Sequence, residues 1–197
     1  MALPQEDKNF DFAAYLAWET ALPERHEFIR GETFAMTGAR GTHNTIAGNL
    51  FVVLKAGLRG TSCRTYIEGV KVRIALADAA LYPDVFVTCA AQDAGPEAEL
   101  FKTAPVLVAE VLSESTAAYD RGLKFELYQQ IAGLEEYLLI EQDRRHVDLF
   151  RKNDQGLWVL HPAGPGDVIR LASVGVDLQV DGLYEDVDDR QASRSNG

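Results

Sequence analysis

The segment from residue 105 to residue 112 constrains the fold of this chain more than any other. It reads Pro-Val-Leu-Val-Ala-Glu-Val-Leu, so that one carboxylate, Glu110, is embedded in an otherwise apolar run. Such a run is typical of a strand that other elements bury on both faces. An ionised Glu is rarely buried unless it is paired or bound to a cation. The segment therefore predicts a central strand that carries a functional carboxylate.

Hydrophobic periodicity predicts that further helices and strands surround this central strand. We expect three helices over 11–20, 42–58 and 120–132, the last with Leu123, Leu127 and Ile131 facing inward. A hairpin is expected over 26–32 with its turn at Gly31, and a loop over 90–102. Further strands are expected over 63–68, 70–75, 84–89, 136–141, 146–151 and 157–161. This order implies an α/β (α+β) fold, a mixed β-sheet flanked by helices. We expect a single domain over 1–189 and a disordered tail over 190–197.

Composition limits the compartment and the partners that we expect. No apolar run approaches the roughly 20 residues that span a bilayer, and the N-terminus lacks the pattern of a signal peptide, so we expect a cytoplasmic protein. Cys63 and Cys89 form no C-x-x-C pair, and we expect them to be buried, reduced thiols. The formal net charge of −11 disfavours binding to nucleic acid unless basic residues gather on one face.

Two further residues combine with Glu110 into a chemical pattern. Asp84 follows Pro83 at the start of an apolar strand, and Lys124 lies on the helix that follows the strand of Glu110. Carboxylate oxygens suit Mg²⁺ or Mn²⁺, and a nearby lysine can orient a water or stabilise a phosphorane-like transition state. We therefore expect Asp84 and Glu110 to share one divalent ion. The alternatives are that Asp84 is a turn residue and that Lys124 only lies along the core stripe.

These residues resemble a known family of proteins. The similarity is to the Uma-two family, whose members are assigned as endonucleases of the restriction-endonuclease-like, PD-(D/E)XK fold, and it runs from about Tyr15 to Tyr184. It is carried by residues 27–32, His43, 83–84, 110–116, 120–124, Tyr128 and 135–137. The resemblance implies the restriction-endonuclease-like fold and a nuclease activity by analogy with the family, and the chemistry of the site residues is a separate argument.

The resemblance also implies roles for particular residues. The general motif places a lysine two residues after the second acid, where this chain has Leu112, and the resemblance implies that Lys124 replaces it. Glu27 matches an acidic position that can approach the metal site, although it could also be an exposed hairpin charge. His43 could contact phosphate or transfer a proton, or only pack at a helix end. Apart from the resemblance, Arg121 shares the predicted helix of Lys124, so it is a further candidate for a phosphate contact at the border of the cleft.

Three functions remain open at this point. The leading one is a Mg²⁺-dependent DNA endonuclease. The others are a non-catalytic binding or regulatory module of the same fold, and a nuclease that acts on RNA or on branched or single-stranded substrates. We expect a homodimer, since symmetric dimers are the commonest oligomers. The basic residues that could line a nucleic-acid face are Arg40, Lys55, Arg59, Lys71, Arg73 and Arg121.

Overall fold

The computed structural model describes residues 10–187 with the exception of 37 and 39, so the expected tail over 190–197 lies outside the described residues. Its helical segments are α1 Phe12–Thr20, α2 Gly41–Gly57, α3 Ala117–Tyr119, a π-helical turn Asp120–Lys124, α4 Phe125–Tyr128 and α5 Val180–Leu183. Its strands are β1 His26–Ile29, β2 Glu32–Ala35, β3 Arg64–Ile67, β4 Lys71–Ile74, β5 Ala79–Leu81, β6 Val85–Thr88, β7 Phe101–Lys102, β8 Pro105–Leu112, β9 Glu136–Glu141, β10 Val147–Lys152, β11 Trp158–Ala163, β12 Val168–Leu171 and β13 Val176–Gln179.

The largest sheet has six strands in the order β11-β10-β9-β8-β6-β3. Strand β8 lies inside it, antiparallel to β6 and parallel to β9. Because β8 has a neighbour on each side and a helical layer on each face, its apolar sequence is explained. The predicted mixed sheet flanked by helices is confirmed.

A second sheet has five strands in the order β2-β1-β5-β4-β7, and β12 and β13 form a separate pair. The β1–β2 hairpin turns at Arg30 and Gly31, whose φ angles are 50° and 90°. Two successive left-handed residues are typical of the type I′ turn that matches strand twist. The predicted hairpin at Gly31 is confirmed, whereas β5, β12, β13 and α5 were not predicted.

The two faces of β8 pack against different helices. On one face, Ala109 and Val111 belong to the apolar core that contains Ile46, Leu50 and Leu54 of α2. On the other face, residues 108 and 112 belong to the core formed with α4 and the residues after it. Since side chains alternate along a strand, Glu110 shares the second face and points toward the α3–α4 segment.

The helix expected over 120–132 differs from the structure. Helical structure begins at Ala117, passes through a π turn and ends at Tyr128. Leu127 and Ile131 are buried as predicted, but Leu123 is 44% exposed and Lys124 is buried. The wider π turn shifts the phase of the residues that precede α4, so it turns Lys124 rather than Leu123 toward the sheet.

The expectation of reduced thiols is wrong, because Cys63 and Cys89 form a disulfide. The reason is the register of β3 and β6, which are antiparallel and pair Arg64 with Thr88. The next pair outward along this ladder is Cys63 and Cys89. In the described part of the chain, no helix is both long and apolar enough to cross a membrane.

Candidate active site

Glu110 is the most deeply buried carboxylate of the site. Its residue is 2% exposed, and its Oε1 accepts a hydrogen bond from the Tyr128 hydroxyl at 3.2 Å. Burial raises the pKa of Glu110 well above 4.5; Lys124 opposes this change, and the nearby Asp84 adds to it. Ionisation of this buried carboxyl therefore costs free energy, and a neighbouring cation offsets part of that cost.

Lys124 supplies one such cation. Its Nζ lies 2.9 Å from Glu110 Oε1, 3.4 Å from Glu27 Oε1 and 3.7 Å from Asp120 Oδ1. Its side chain is 7% exposed. Burial lowers the pKa of Lys124, but Glu110 and Glu27 raise it more, so that it lies well above 10.5. Lys124 is therefore a charged ammonium inside the fold, not a stem lying along the core stripe.

Glu27 joins the second sheet to this cluster. It lies on β1, is 6% exposed, and accepts hydrogen bonds from the Tyr82 backbone N–H at 3.0 Å and the Tyr119 hydroxyl at 2.9 Å. The alternative of an exposed hairpin charge is therefore wrong. Its two oxygens are fixed by Tyr82, Tyr119 and Lys124, so Glu27 has little freedom to move.

Asp84 lies beside Glu110, as the sequence predicted. Its Oδ2 accepts a 2.7 Å hydrogen bond from the Val111 backbone N–H, and its own N–H lies 3.4 Å from Glu110 Oε2. The antiparallel register of β6 and β8, which pairs Val85 with Ala109, produces this contact. The Asp84 side chain is 16% exposed, against 2% for Glu110. Asp84 therefore forms the more accessible side of the pair.

His43 lies in the first turn of α2 and faces Asp84. Its Nε2 is 3.1 Å from Asp84 Oδ2, whereas its buried Nδ1 has no hydrogen-bond partner among the described residues. Burial lowers the pKa of His43, but Asp84 raises it more, and the net direction is upward from 6.5. Asn44, the next residue, donates to Glu68 at the exposed rim.

Arg121 lies on the same helical segment as Lys124 but contacts other residues. Its guanidinium lies 2.6 Å from Glu141 Oε1 and 2.7 Å from Asp148 Oδ2. Burial lowers the pKa of Arg121, and the two carboxylates raise it by more. A phosphate contact by Arg121 stays a prediction, and it would have to share the guanidinium with these two carboxylates.

The sequence analysis missed Asp120, Tyr119 and Tyr128 as parts of the site. Asp120 is 4% exposed, and burial raises its pKa despite the opposing effect of Lys124. One signal could have found it, since Asp120 stands four residues before Lys124 and such pairs share a helix face. Tyr128, whose hydroxyl holds Glu110, was among the residues that carry the family resemblance, whereas no signal marked Tyr119, whose hydroxyl holds Glu27.

The carboxylates of this site are of the kind that holds a divalent ion. Glu27, Glu110 and Asp120 lie 2.9–3.7 Å from the Lys124 ammonium and Asp84 lies beside Glu110, so negative charge is in excess. Within residues 10–187, apart from 37 and 39, no group of three or more His, Cys, Asp or Glu is arranged to hold a metal ion. Mg²⁺ does not need such a cage, because it is commonly held by one or two carboxylates and completes its shell with waters and phosphate.

Sequence comparisons place the chain among similar proteins. The model of the Uma2 family, described as "Putative restriction endonuclease", matches residues 12–181. One uncharacterized protein of Synechocystis sp. is 38% identical over 170 residues, which cover 86% of this chain and 88% of the relative. A second from the same organism is 34% identical over 148 residues, covering 75% and 84%.

A solved structure shares the fold. It is the crystal structure of a protein from Anabaena variabilis described as "a putative nuclease belonging to DUF820". It superposes with a TM-score of 0.70 at 19% sequence identity and covers 86% of this chain and 97% of that chain. At this identity the likeness establishes the arrangement of helices and strands.

Proposed function

Because the chain belongs to the Uma2 family, we propose that it is an endonuclease that uses Mg²⁺ or Mn²⁺ to hydrolyse phosphodiester bonds of DNA. The observation that carries this proposal is the buried contact between Lys124 and Glu110 beside the more exposed Asp84. Buried carboxylates with raised pKa values next to a specific charged partner are characteristic of functional sites. The membership also agrees with the resemblance inferred from the motifs.

Asp84 and Glu110 are the residues that would hold the ion. When bound, a divalent ion supplies Lewis acidity toward a phosphate oxygen and stabilises an attacking water. Lys124 and Tyr128 hold Oε1 of Glu110, and Oε2 is directed toward Asp84. The Val111 N–H fixes Oδ2 of Asp84 in the same way. These contacts keep the two carboxylates adjacent before any ligand arrives.

Lys124 and His43 have different parts in this proposal. Lys124 is a positioning residue, because its ammonium is occupied by Glu110, Glu27 and the Tyr82 carbonyl. His43 lies on the accessible side, where it can take a proton from water or give one to the leaving oxygen. In the hydrolysis, the bond from water oxygen to phosphorus forms, the ester P–O bond breaks, and the leaving oxygen is protonated.

One observation favours a non-catalytic binding or regulatory module as a second candidate. Three carboxylates, those of Glu110, Glu27 and Asp120, lie 2.9–3.7 Å from Lys124 Nζ, so its positive charge is largely compensated before any substrate binds. A net charge of −11 also opposes binding to phosphate. A module of this type would keep the fold and lose metal binding or cleavage.

Calorimetric titration with Mn²⁺ separates the two candidates. Wild type should bind one ion, and Asp84→Asn should bind it much more weakly, since the amide keeps a hydrogen-bond acceptor for Val111 but loses the charge. Asp177→Asn is the matched control, because Asp177 is a surface aspartate that pairs with Arg170. A wild type that binds no Mn²⁺ would favour the regulatory module.

The substrate and the oligomeric state need their own measurements. Incubation of the Mg²⁺-loaded protein with duplex DNA, single-stranded DNA, branched DNA and RNA tests the choice of DNA. Cleavage of RNA alone would replace DNA as the substrate and leave the site unchanged. The homodimer stays a prediction, which sedimentation equilibrium tests directly.

A further inference from the structure

Lys71 is a buried cation that the proposed chemistry does not use. Its residue on β4 is 8% exposed, and its Nζ lies 5.2 Å from the centre of the Tyr82 ring. Among the described residues, nothing forms an ion pair or a hydrogen bond with its ammonium. Lys102, also buried, instead donates to two backbone carbonyls. Lys71 Nζ is not among the fully enclosed polar atoms that lack a partner, so its ammonium still reaches the surface and its N–H donors remain open to a ligand.

Arg25 is a second cation beside Lys71. Burial lowers the pKa of Lys71 most. Glu19 opposes this change, and the positive charge of Arg25 lowers the pKa of Lys71 further. The Arg25 guanidinium lies over Gly69, where an added Cβ would stand 2.7 Å from Nη2. Gly69 has a φ of 73° and lacks a side chain, so the guanidinium can lie flat on the turn before β4. Within the described chain, the Arg25 guanidinium has no carboxylate partner either.

Tyr82 connects these two cations to the proposed active site. The register that pairs Val72 with Leu81 brings Lys71 opposite Tyr82. The backbone of Tyr82 donates to Glu27 and accepts from Lys124. Tyr82 also stands two residues before Asp84 in the sequence, so the backbone that carries the Tyr82 ring leads directly to the proposed active site.

We propose that Lys71 and Arg25 bind a backbone phosphate of the nucleic acid that flanks the cleaved bond. This inference rests on the proposed function and assigns it a substrate-contact subsite. Neither cation forms an ion pair among the described residues, and both offer N–H donors, which suit a phosphate oxygen. A bound phosphate would accept hydrogen bonds from these donors and add to the negative charge with which Glu19 already opposes the repulsion between Lys71 and Arg25. The two cations also attract the DNA backbone next to the acidic cluster, whereas the net charge of −11 repels DNA from the protein as a whole.

Binding of a labelled DNA duplex in Ca²⁺ tests the contact through its salt dependence. Each lost phosphate contact should reduce the slope of log K against log salt by about 0.9, which at 0.1 M salt is roughly an eightfold loss of affinity. We expect this change for Lys71→Gln and for Arg25→Gln. Arg25 is exposed, so its variant should fold even if the one at the buried Lys71 does not. Lys71→Arg keeps the positive charge, so it should retain most of the wild-type slope of log K against log salt.

Lys152→Gln is the matched control. It removes the same charge from β10, which β9 separates from β8, and the Lys152 ammonium lies at the Ala132 carbonyl and the Trp158 ring. It should leave the slope unchanged. The inference is overturned if Arg25→Gln and a folded Lys71→Gln keep the slope of wild type, or if Lys152→Gln loses as much as they do.

A second experiment tests the subsite independently of the proposed nuclease activity. It also distinguishes binding of a nucleic-acid phosphate from binding of free phosphate. Brief acetylation of wild type with acetic anhydride, read by mass spectrometry, reports the reactivity of each lysine amine. Inorganic pyrophosphate without metal should protect Lys71 and not Lys152 if the subsite also accepts free phosphate. Protection by the duplex alone assigns the subsite to the nucleic-acid backbone. If neither ligand protects Lys71, the subsite is wrong; protection without cleavage would leave the subsite standing and count against the nuclease.

Discussion

Lys124 Nζ lies 2.9 Å from Glu110 Oε1 between a helical segment and the sheet, with both side chains at most 7% exposed. The two residues are fourteen apart in sequence but meet because β8 and the π turn face each other. Removing one partner of a buried pair leaves the other uncompensated, which is strongly destabilising. This contact therefore stabilises the fold and also sets the position of Glu110.

Lys124→Met should destabilise the protein in a pH-dependent way. Burial already raises the pKa of Glu110, and loss of Lys124 should raise it further. A carboxyl with a raised folded-state pKa favours the folded state at pH values below its unfolded pKa, and this stability is lost as the pH rises through the folded pKa. Urea denaturation in EDTA should show a loss of about 3–5 kcal/mol near pH 8, shrinking toward pH 5.

The double variant Lys124→Met with Glu110→Gln provides the control for this effect. It removes both charges, so it should recover much of the lost stability near pH 8. A Lys124→Met protein whose stability loss is the same at both pH values would contradict the coupling between the two residues.

The sequence allowed the carboxylates of the site to be predicted better than the lysine. Glu110 was evident because a carboxylate in an apolar strand requires a partner. Lys124 was proposed from its place on the helix after the strand of Glu110 and from the family resemblance, but periodicity placed its neighbour Leu123 on the inward side. The π turn reverses their exposure, and such a turn depends on packing against the sheet that local residue preferences do not encode.

Asp84→Asn should lower the pKa of His43. Burial lowers this pKa and the Asp84 carboxylate raises it, so removal of the negative charge leaves burial less opposed. Two-dimensional NMR titration of the imidazole in both proteins measures the change, with His43→Gln to assign the signal. A His43 pKa that is the same in both proteins would show that the 3.1 Å contact does not affect its protonation.

The contact between His43 and Asp84 also makes the stability of the wild-type protein depend on pH, in a direction that follows from the raised pKa of His43. A histidine with a raised folded pKa stabilises the fold fully below its unfolded pKa, and this term is lost as the pH rises through the folded value. Asp84→Asn should therefore lose more stability below about pH 6 than above about pH 8, as thermal unfolding can measure.

Reduction of the Cys63–Cys89 disulfide should lower the free energy of unfolding by about 3 kcal/mol. The two residues enclose a separation of 26 residues, and a cross-link of that length restricts the unfolded chain by this order. Urea denaturation with and without dithiothreitol measures the difference. The Cys63→Ala, Cys89→Ala double variant should be insensitive to the reductant. An identical wild-type midpoint under both conditions would contradict a stabilising cross-link.

The disulfide also shows that hydrophobic periodicity does not predict which strands pair with each other. Strand positions near 63–68 and 84–89 were predicted, but not which strands pair or in which register. That register alone decides whether Cys63 and Cys89 are opposite each other. The short strand β5 was missed for a related reason, since Ala79 and Ala80 carry little strand preference and are held by β1 and β4.

Cleavage of a supercoiled plasmid by wild type and Asp84→Asn tests the proposed nuclease most directly. Wild type in Mg²⁺ should convert the plasmid to nicked or linear DNA, and EDTA should stop the reaction. Asp84→Asn should be slower by more than about 100-fold, because even changes around a metal ligand cost roughly 10–100-fold. Asp177→Asn should cleave like wild type. Cleavage that persists in EDTA, or an Asp84→Asn protein as active as wild type, would contradict the assignment of Asp84 and Glu110 to a metal-dependent nuclease site.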